Sequence, residues 1–172
     1  MAIATIHPAI GEWVGSIEAF NSQSCIATKR FIVADEIADR FEQALAEKMR
    51  ALELGDPFEV QTEIGPLATA DTVVSLQRDV QKNVDAGEKV STRGRPAELP
   101  GNFYLPTVRT EIPHNSPADR EELFGPVASL VRVKNLDEAI GVTNDRRFGL
   151  GASAWTNDRN EQERSIDKLE QG

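Results

Sequence analysis

Short unbroken apolar runs alternate along this chain with longer stretches in which apolar residues fall every three or four positions. Phe31-Ile32-Val33-Ala34 is such a run and predicts a short buried strand. Asp35 follows it and is placed to cap a helix. That helix carries Ile37, Phe41, Leu45, Met49 and Leu52 on one face, and Gly55-Asp56-Pro57 stops it. A second helix is predicted after Asp71, with Val73, Leu76, Val80 and Val84 aligned and Gly87 at its end. Lys89 to Thr92 and Phe103 to Val108 read as strands; Pro106 suits an edge or an irregular stretch. Gly94, Pro96, Pro100 and Gly101 mark the loop between them. Val127 to Val133 is rich in β-branched residues and is the strongest strand prediction. Asn135 caps a helix running through Ala139 and Ile140, and Gly151 to Trp155 reads as a further strand. Asp158 with Glu161 makes a capping box for a helix bearing Ile166 and Leu169.

Strands that alternate with helices imply an α/β fold whose parallel or mixed sheet is covered on both faces. Residues 1–20 break that pattern. Pro8, Gly11 and Gly15 punctuate short apolar pieces there, as in a hairpin.

Composition narrows the field. With 172 residues, 40% hydrophobic and 27% charged, the chain suits one soluble globular domain with a real core. A net charge of −9 argues against nucleic acid or an anionic membrane as partner. The apolar runs fall far short of a membrane span, and Met1 to Pro8 lacks the basic start of a signal peptide. One cysteine permits no internal disulfide, which makes a reducing cytoplasm the simplest setting. Two scattered histidines with that cysteine give no metal-ligand spacing.

Cys25 is therefore the main candidate for chemistry. A free thiol is only ~3% thiolate at neutral pH, and a lone cysteine is more often a small buried filler than a catalyst. Its company shifts that balance, because Asn21-Ser22-Gln23-Ser24 precedes it and a second distinctive string lies far downstream.

Gln23-Ser24-Cys25, followed by Lys29-Arg30-Phe31-Ile32-Val33, resembles the nucleophile segment of the NAD(P)-dependent aldehyde dehydrogenases. The likeness continues at Ile64-Gly65-Pro66-Leu67, at Tyr104-Leu105-Pro106-Thr107-Val108 and at Phe148 to Thr156. It is strongest at Glu121-Glu122-Leu123-Phe124-Gly125-Pro126-Val127. By wording it looks closest to the succinate-semialdehyde dehydrogenase branch. The resemblance implies a three-layer α/β/α sandwich like the family's catalytic domain. It implies that Cys25 attacks the aldehyde carbonyl, that hydride passes to NAD or NADP, and that the resulting thioester is hydrolysed. Glu122 matches the position that holds the nicotinamide ribose, and Phe124 the aromatic that packs against the cofactor. Taken alone, Glu122 reads as a solvated loop carboxylate and Phe124 as a core ring; the whole string lifts both.

Departures from the family pattern carry as much information. Ser22 stands where the family has a glycine that lets the backbone approach closely. Residues 1–20, with Ala4-Thr5-Ile6-His7-Pro8, resemble the family's first hairpin, so the cofactor-binding domain expected between them and residue 21 is missing. Residues 21–172 then correspond to the catalytic domain, incomplete at its carboxyl end. The expected losses are the general-base glutamate, the asparagine of the oxyanion hole, and the lysine and Gly-rich segment that grip the dinucleotide. One lost oxyanion donor alone lowers a rate by ~10²–10³-fold. These losses imply a chain inactive by itself that binds NAD or NADP poorly. The alternatives are a non-enzymatic module that self-associates or docks on a full-length homologue, and residual esterase chemistry at Cys25.

Overall fold

The computed structural model describes residues 28–113, 122–145 and 151–170. Its centre is the pairing of two apolar strands, β1 (Arg30–Ala34) and β4 (Val127–Val133), which run parallel with Phe31 opposite Leu130. Beside β4 lies β3 (Thr107–Thr110), also parallel, and β2 (Lys89–Val90) closes the sheet antiparallel to β3. The spatial order is β1-β4-β3-β2.

Strand alternation then sorts side chains between two faces. Phe31, Val33, Val108, Ala128 and Leu130 share one face and pack against α1 (Asp35–Ala51) through Ala38, Leu45 and Met49. On the other face two helices divide the surface. Near one end Ile32 and Val133 meet Leu136 and Ala139 of α3 (Leu136–Asn144). Towards the other, Val127 joins Leu76 and Val80 of α2 (Ala70–Asp85), with Leu67, Tyr104 and Leu123. The result is a three-layer α/β/α arrangement. A last helix, α4 (Arg159–Lys168), contacts α3. No helix among the described residues is long and apolar enough to cross a membrane.

Between the two apolar clusters the same face carries a polar row. Arg30, Ser129 and Arg109 are register neighbours on β1, β4 and β3. The Arg109 guanidinium donates to Ser129 Oγ at 2.8 Å and pairs with Glu88 at 3.1 Å, both charged side chains being almost fully buried. Arg30 Nη2 donates to the Val142 carbonyl at 2.9 Å, fastening β1 to α3.

Several local expectations need correction. Asp35 is not a cap: Ala34 holds that position without a side-chain bond, and Asp35 and Glu36 sit in the first turn, where they complement the helix dipole. For α2 the cap is Thr69, whose Oγ1 accepts from Thr72 N at 3.1 Å, two residues before the predicted Asp71. The strand predicted to Thr92 ends at Val90, because Thr92 Oγ1 takes over the pairing. That hydroxyl accepts from Val108 N at 2.8 Å and donates to the Pro106 carbonyl at 3.1 Å. The strand predicted over Phe103 to Val108 begins only at Thr107, since Pro106 has no N–H to give, and it lies inside the sheet rather than at its edge. Gly151 to Trp155 joins no strand among the described residues. In α4 the buried residue is Ser165, and Ile166 is exposed.

Other expectations hold. β4 spans Val127–Val133 as predicted, and Asn135 caps α3 by accepting from Glu138 N at 3.0 Å. Asp158 accepts from Glu161 N at 3.1 Å, while Thr156 Oγ1 accepts from Asp158 N at 3.1 Å and bonds to Glu161. The capping box is thus closed through Thr156. Residues 1–20 lie outside the described residues.

Burial of the Arg109–Glu88 pair makes each charge depend on the other. Arg109→Met is expected to destabilise the fold by roughly 3–5 kcal/mol by leaving Glu88 uncompensated, and the double change with Glu88→Leu to recover most of that loss. Urea unfolding of the two variants and the parent chain checks this.

Candidate functional site

Glu122 and Phe124 stand on the loop that feeds β4, and its shape follows from one inward residue between two outward ones. Leu123 is buried among Leu67, Leu76, Tyr104 and Val127. Its neighbours are consequently turned away from that cluster: Glu122 is half-buried and Phe124 is 52% exposed. Gly125 presses directly on Leu76, leaving no room there for a β-carbon. Pro126 accepts from Thr107 N at 2.8 Å, and Val127 N returns to the Gly125 carbonyl at 2.7 Å. The loop base is therefore fixed to both β3 and α2. Three of the quoted family-like strings converge here, because Leu67, Tyr104, and the pair Leu123 and Val127 come from one string each and share one cluster.

Lys29 completes the arrangement. It immediately precedes β1, and its carbonyl accepts from Ser129 N at 2.8 Å. Only 5% of it is exposed, and Nζ lies 5.7 Å from the centroid of the Phe124 ring. Burial holds its pKa below the usual lysine value, and the nearby Glu122 carboxylate works in the opposite direction with smaller effect. The reading of the sequence named Glu122 and Phe124 but gave Lys29 no role. The available signal was a cation lodged between a reactive thiol and the first residues of a buried strand. Cys25 and Ser22 lie outside the described residues, so among the named candidates Glu122 and Phe124 are the two the structure brings together.

The site lies at the amino ends of the parallel strands β1 and β4, where Lys29 and the Glu122–Phe124 loop meet. Chemically it offers an exposed aromatic surface for a flat ring and a carboxylate able to accept from sugar hydroxyls. An aromatic face beside a carboxylate is a pair that could hold the nicotinamide riboside end of a dinucleotide. No group of three His, Cys, Asp or Glu able to hold a metal ion occurs among the described residues. An open groove of about 900 Å³ between α1 and the β2 edge is separate from this site. It is lined by ion pairs, Arg132 with Asp39 at 2.6 Å and Lys89 with Glu111 at 2.5 Å.

Comparison with known proteins places these features in context. The sequence profile of the aldehyde dehydrogenase family matches residues 2–172. The succinate-semialdehyde dehydrogenase [NADP(+)] of Mycobacterium avium is 47% identical over 172 residues, all of this chain but 36% of its own length. A probable succinate-semialdehyde dehydrogenase [NADP(+)] of Synechocystis is 46% identical over 152 residues, 88% of this chain and 34% of that protein. Among solved structures, succinic semialdehyde dehydrogenase from Streptococcus pyogenes in complex with NADP+ superposes with a TM-score of 0.88 at 28% identity. That match covers 99% of this chain and 39% of the other. A point mutant of betaine aldehyde dehydrogenase from Staphylococcus aureus in complex with NAD+ gives a TM-score of 0.91 at 26% identity, over 99% of this chain and 37% of that one. The chain thus spans about a third of the length of the curated relatives it matches.

The buried ammonium has a consequence for stability. Because folding lowers the pKa of Lys29, the unfolded chain binds more protons than the folded one below the ordinary lysine value of 10.5. Its contribution to stability therefore becomes more favourable as pH rises through that window. Lys29→Met should melt above the parent at neutral pH, with the gap closing as pH approaches 10.5. Thermal melts of both proteins across that range check the sign.

Proposed function

We propose, since the chain belongs to the aldehyde dehydrogenase family, that it carries the thiol chemistry of NADP-dependent oxidation of succinic semialdehyde to the acid. The observation that carries this reading is 47% identity, across all 172 residues, to a succinate-semialdehyde dehydrogenase. In this reading residues 21–172 are the nucleophile-bearing portion and residues 1–20 an extension before it.

The Cys25 thiolate attacks the aldehyde carbon, forming a C–S bond and moving the carbonyl electron pair onto oxygen as a thiohemiacetal. A nicotinamide dinucleotide, when bound, would supply the acceptor for the hydride that the adduct carbon must lose to become a thioester. Water then adds to the thioester carbonyl, the C–S bond breaks, and the acid and the thiolate separate. Glu122 would hold the ribose hydroxyls as a charged acceptor. The exposed ring of Phe124 would pack against the nicotinamide riboside, with Lys29 beneath it. A free catalytic thiol suits a reducing compartment such as the cytoplasm.

The relatives' remaining length is where the base, the oxyanion amide and the dinucleotide grip are expected, so this chain alone is read as unable to sustain turnover. A second reading, a module that self-associates or docks on a full-length homologue, draws on Phe58 and Val60, apolar and 94% and 101% exposed.

Purified chain supplied with NADP+ and succinic semialdehyde should give no steady NADPH; sustained production would sink the inactivity. With p-nitrophenyl acetate the parent should acylate at least about tenfold faster than Cys25→Ser, as a nucleophilic thiol requires. Equal rates would remove Cys25 from its role.

A further inference from the structure

We propose that Lys29 is a positioning residue, holding the Glu122–Phe124 loop against the start of β1. Its use in catalysis rests on the functional reading above, whereas the positioning itself rests on geometry alone.

Lysine is almost never fully buried unless something answers its charge. Lys29 is 5% exposed, and its ammonium lies 5.7 Å from the Phe124 ring centroid, within cation–π range. The Glu122 carboxylate acts on the same ammonium. The two outward side chains of the loop are thus both drawn towards one cation. Other holds on the loop act at its base or on its inward side: Leu123 in the core, Gly125 on Leu76, Pro126 on Thr107. Lys29 itself cannot drift, since its carbonyl is bonded to Ser129 N in the extension of the β1–β4 ladder. An apolar side chain of the same length would fill the space and avoid the cost of burying a charge. What it would lose is the pull on Glu122 and Phe124. A buried charge that faces two candidate contact groups has the character of a functional position.

The test uses the 172-residue chain and the variants Lys29→Met, Lys29→Arg and Phe124→Leu. Backbone ¹⁵N order parameters at Leu123 and Phe124 should sit near about 0.85 in the parent and fall towards about 0.6 in Lys29→Met. Lys29→Arg should restore them, and the melting temperature of Lys29→Met should not drop. Unchanged order parameters in Lys29→Met, or a loss that arginine does not restore, would overturn the proposal. Independently of that variant's folding, the Lys29 ε-methylene protons should be shifted upfield by the ring and return downfield in Phe124→Leu. Absence of that shift in the parent would likewise overturn it. A second arm measures saturation transfer from protein to the nicotinamide protons of NADP+. A signal that falls at least threefold in Lys29→Met and returns in Lys29→Arg supports the proposal together with the functional reading. If the parent gives no signal while the order parameters still respond to Lys29, the cofactor reading fails and the positioning role stands.

Discussion

The parallel ladder between β1 and β4 is the constraint from which the rest of the structure follows. These strands are joined by some ninety residues of intervening chain, yet they pair over the full length of β1, Arg30 opposite Ser129 through Ala34 opposite Val133. A parallel pair cannot be closed by a tight turn, so everything between must cross over and return. The crossover supplies α1 to one face and α2 with β3 to the other side of β4. It also sets the site. A parallel register places the residues before β1 and before β4 at the same end of the sheet, and those residues are Lys29 and the Glu122–Phe124 loop. Their meeting is a consequence of strand direction. An antiparallel pairing would have put them at opposite ends.

Across the same ladder runs a buried polar row that an apolar sheet does not need for stability. Arg30, Ser129 and Arg109 occupy one register level, with Glu88 answering Arg109. Replacing buried ion pairs by apolar residues is often neutral or stabilising. The row separates the α2 cluster from the α3 cluster and binds α3 to the sheet by a directional contact, from Arg30 to the Val142 carbonyl. Directional bonds tolerate less sliding than apolar packing does. A one-residue slip of β1 would turn Arg30 towards the α1 face and Phe31 into the polar row. The register that aligns the site is thus the register that satisfies the buried charges.

Much of this fold was legible from hydrophobic pattern alone where a segment meets water on one side only. The face of α1 with Leu45 and Met49, and the span of β4, are set by local periodicity and burial, and both came out as read. What the pattern missed was decided by groups distant in sequence. β2 stops at Val90 because the Thr92 hydroxyl bonds across to Val108, and no local pattern reveals that bond. Gly151 to Trp155 has the alternation of a strand, but a strand exists only where a neighbour offers a free edge in register. At the site, the string around Glu122 marked the loop correctly, while Lys29 was overlooked because its significance is a contact made across more than ninety residues.

Lys29 also bears on why the site sits where it does. In open α/β sheets ligand crevices usually form beyond the carboxyl ends of the strands, where loops gather. Here the meeting of Lys29, Glu122 and Phe124 is at the amino ends, where the chain enters β1 and β4. Entry points of this kind are stiff: one residue beyond them the backbone is locked into the ladder. Lys29 is held by Ser129, and Phe124 is followed directly by Gly125 pressed on Leu76 and Pro126 bonded to Thr107. Placing Lys29 and the aromatic-carboxylate loop immediately upstream of paired strands transfers the rigidity of the sheet to both. That arrangement gives the buried cation and the short contact loop a fixed common reference, which two long surface loops would not share.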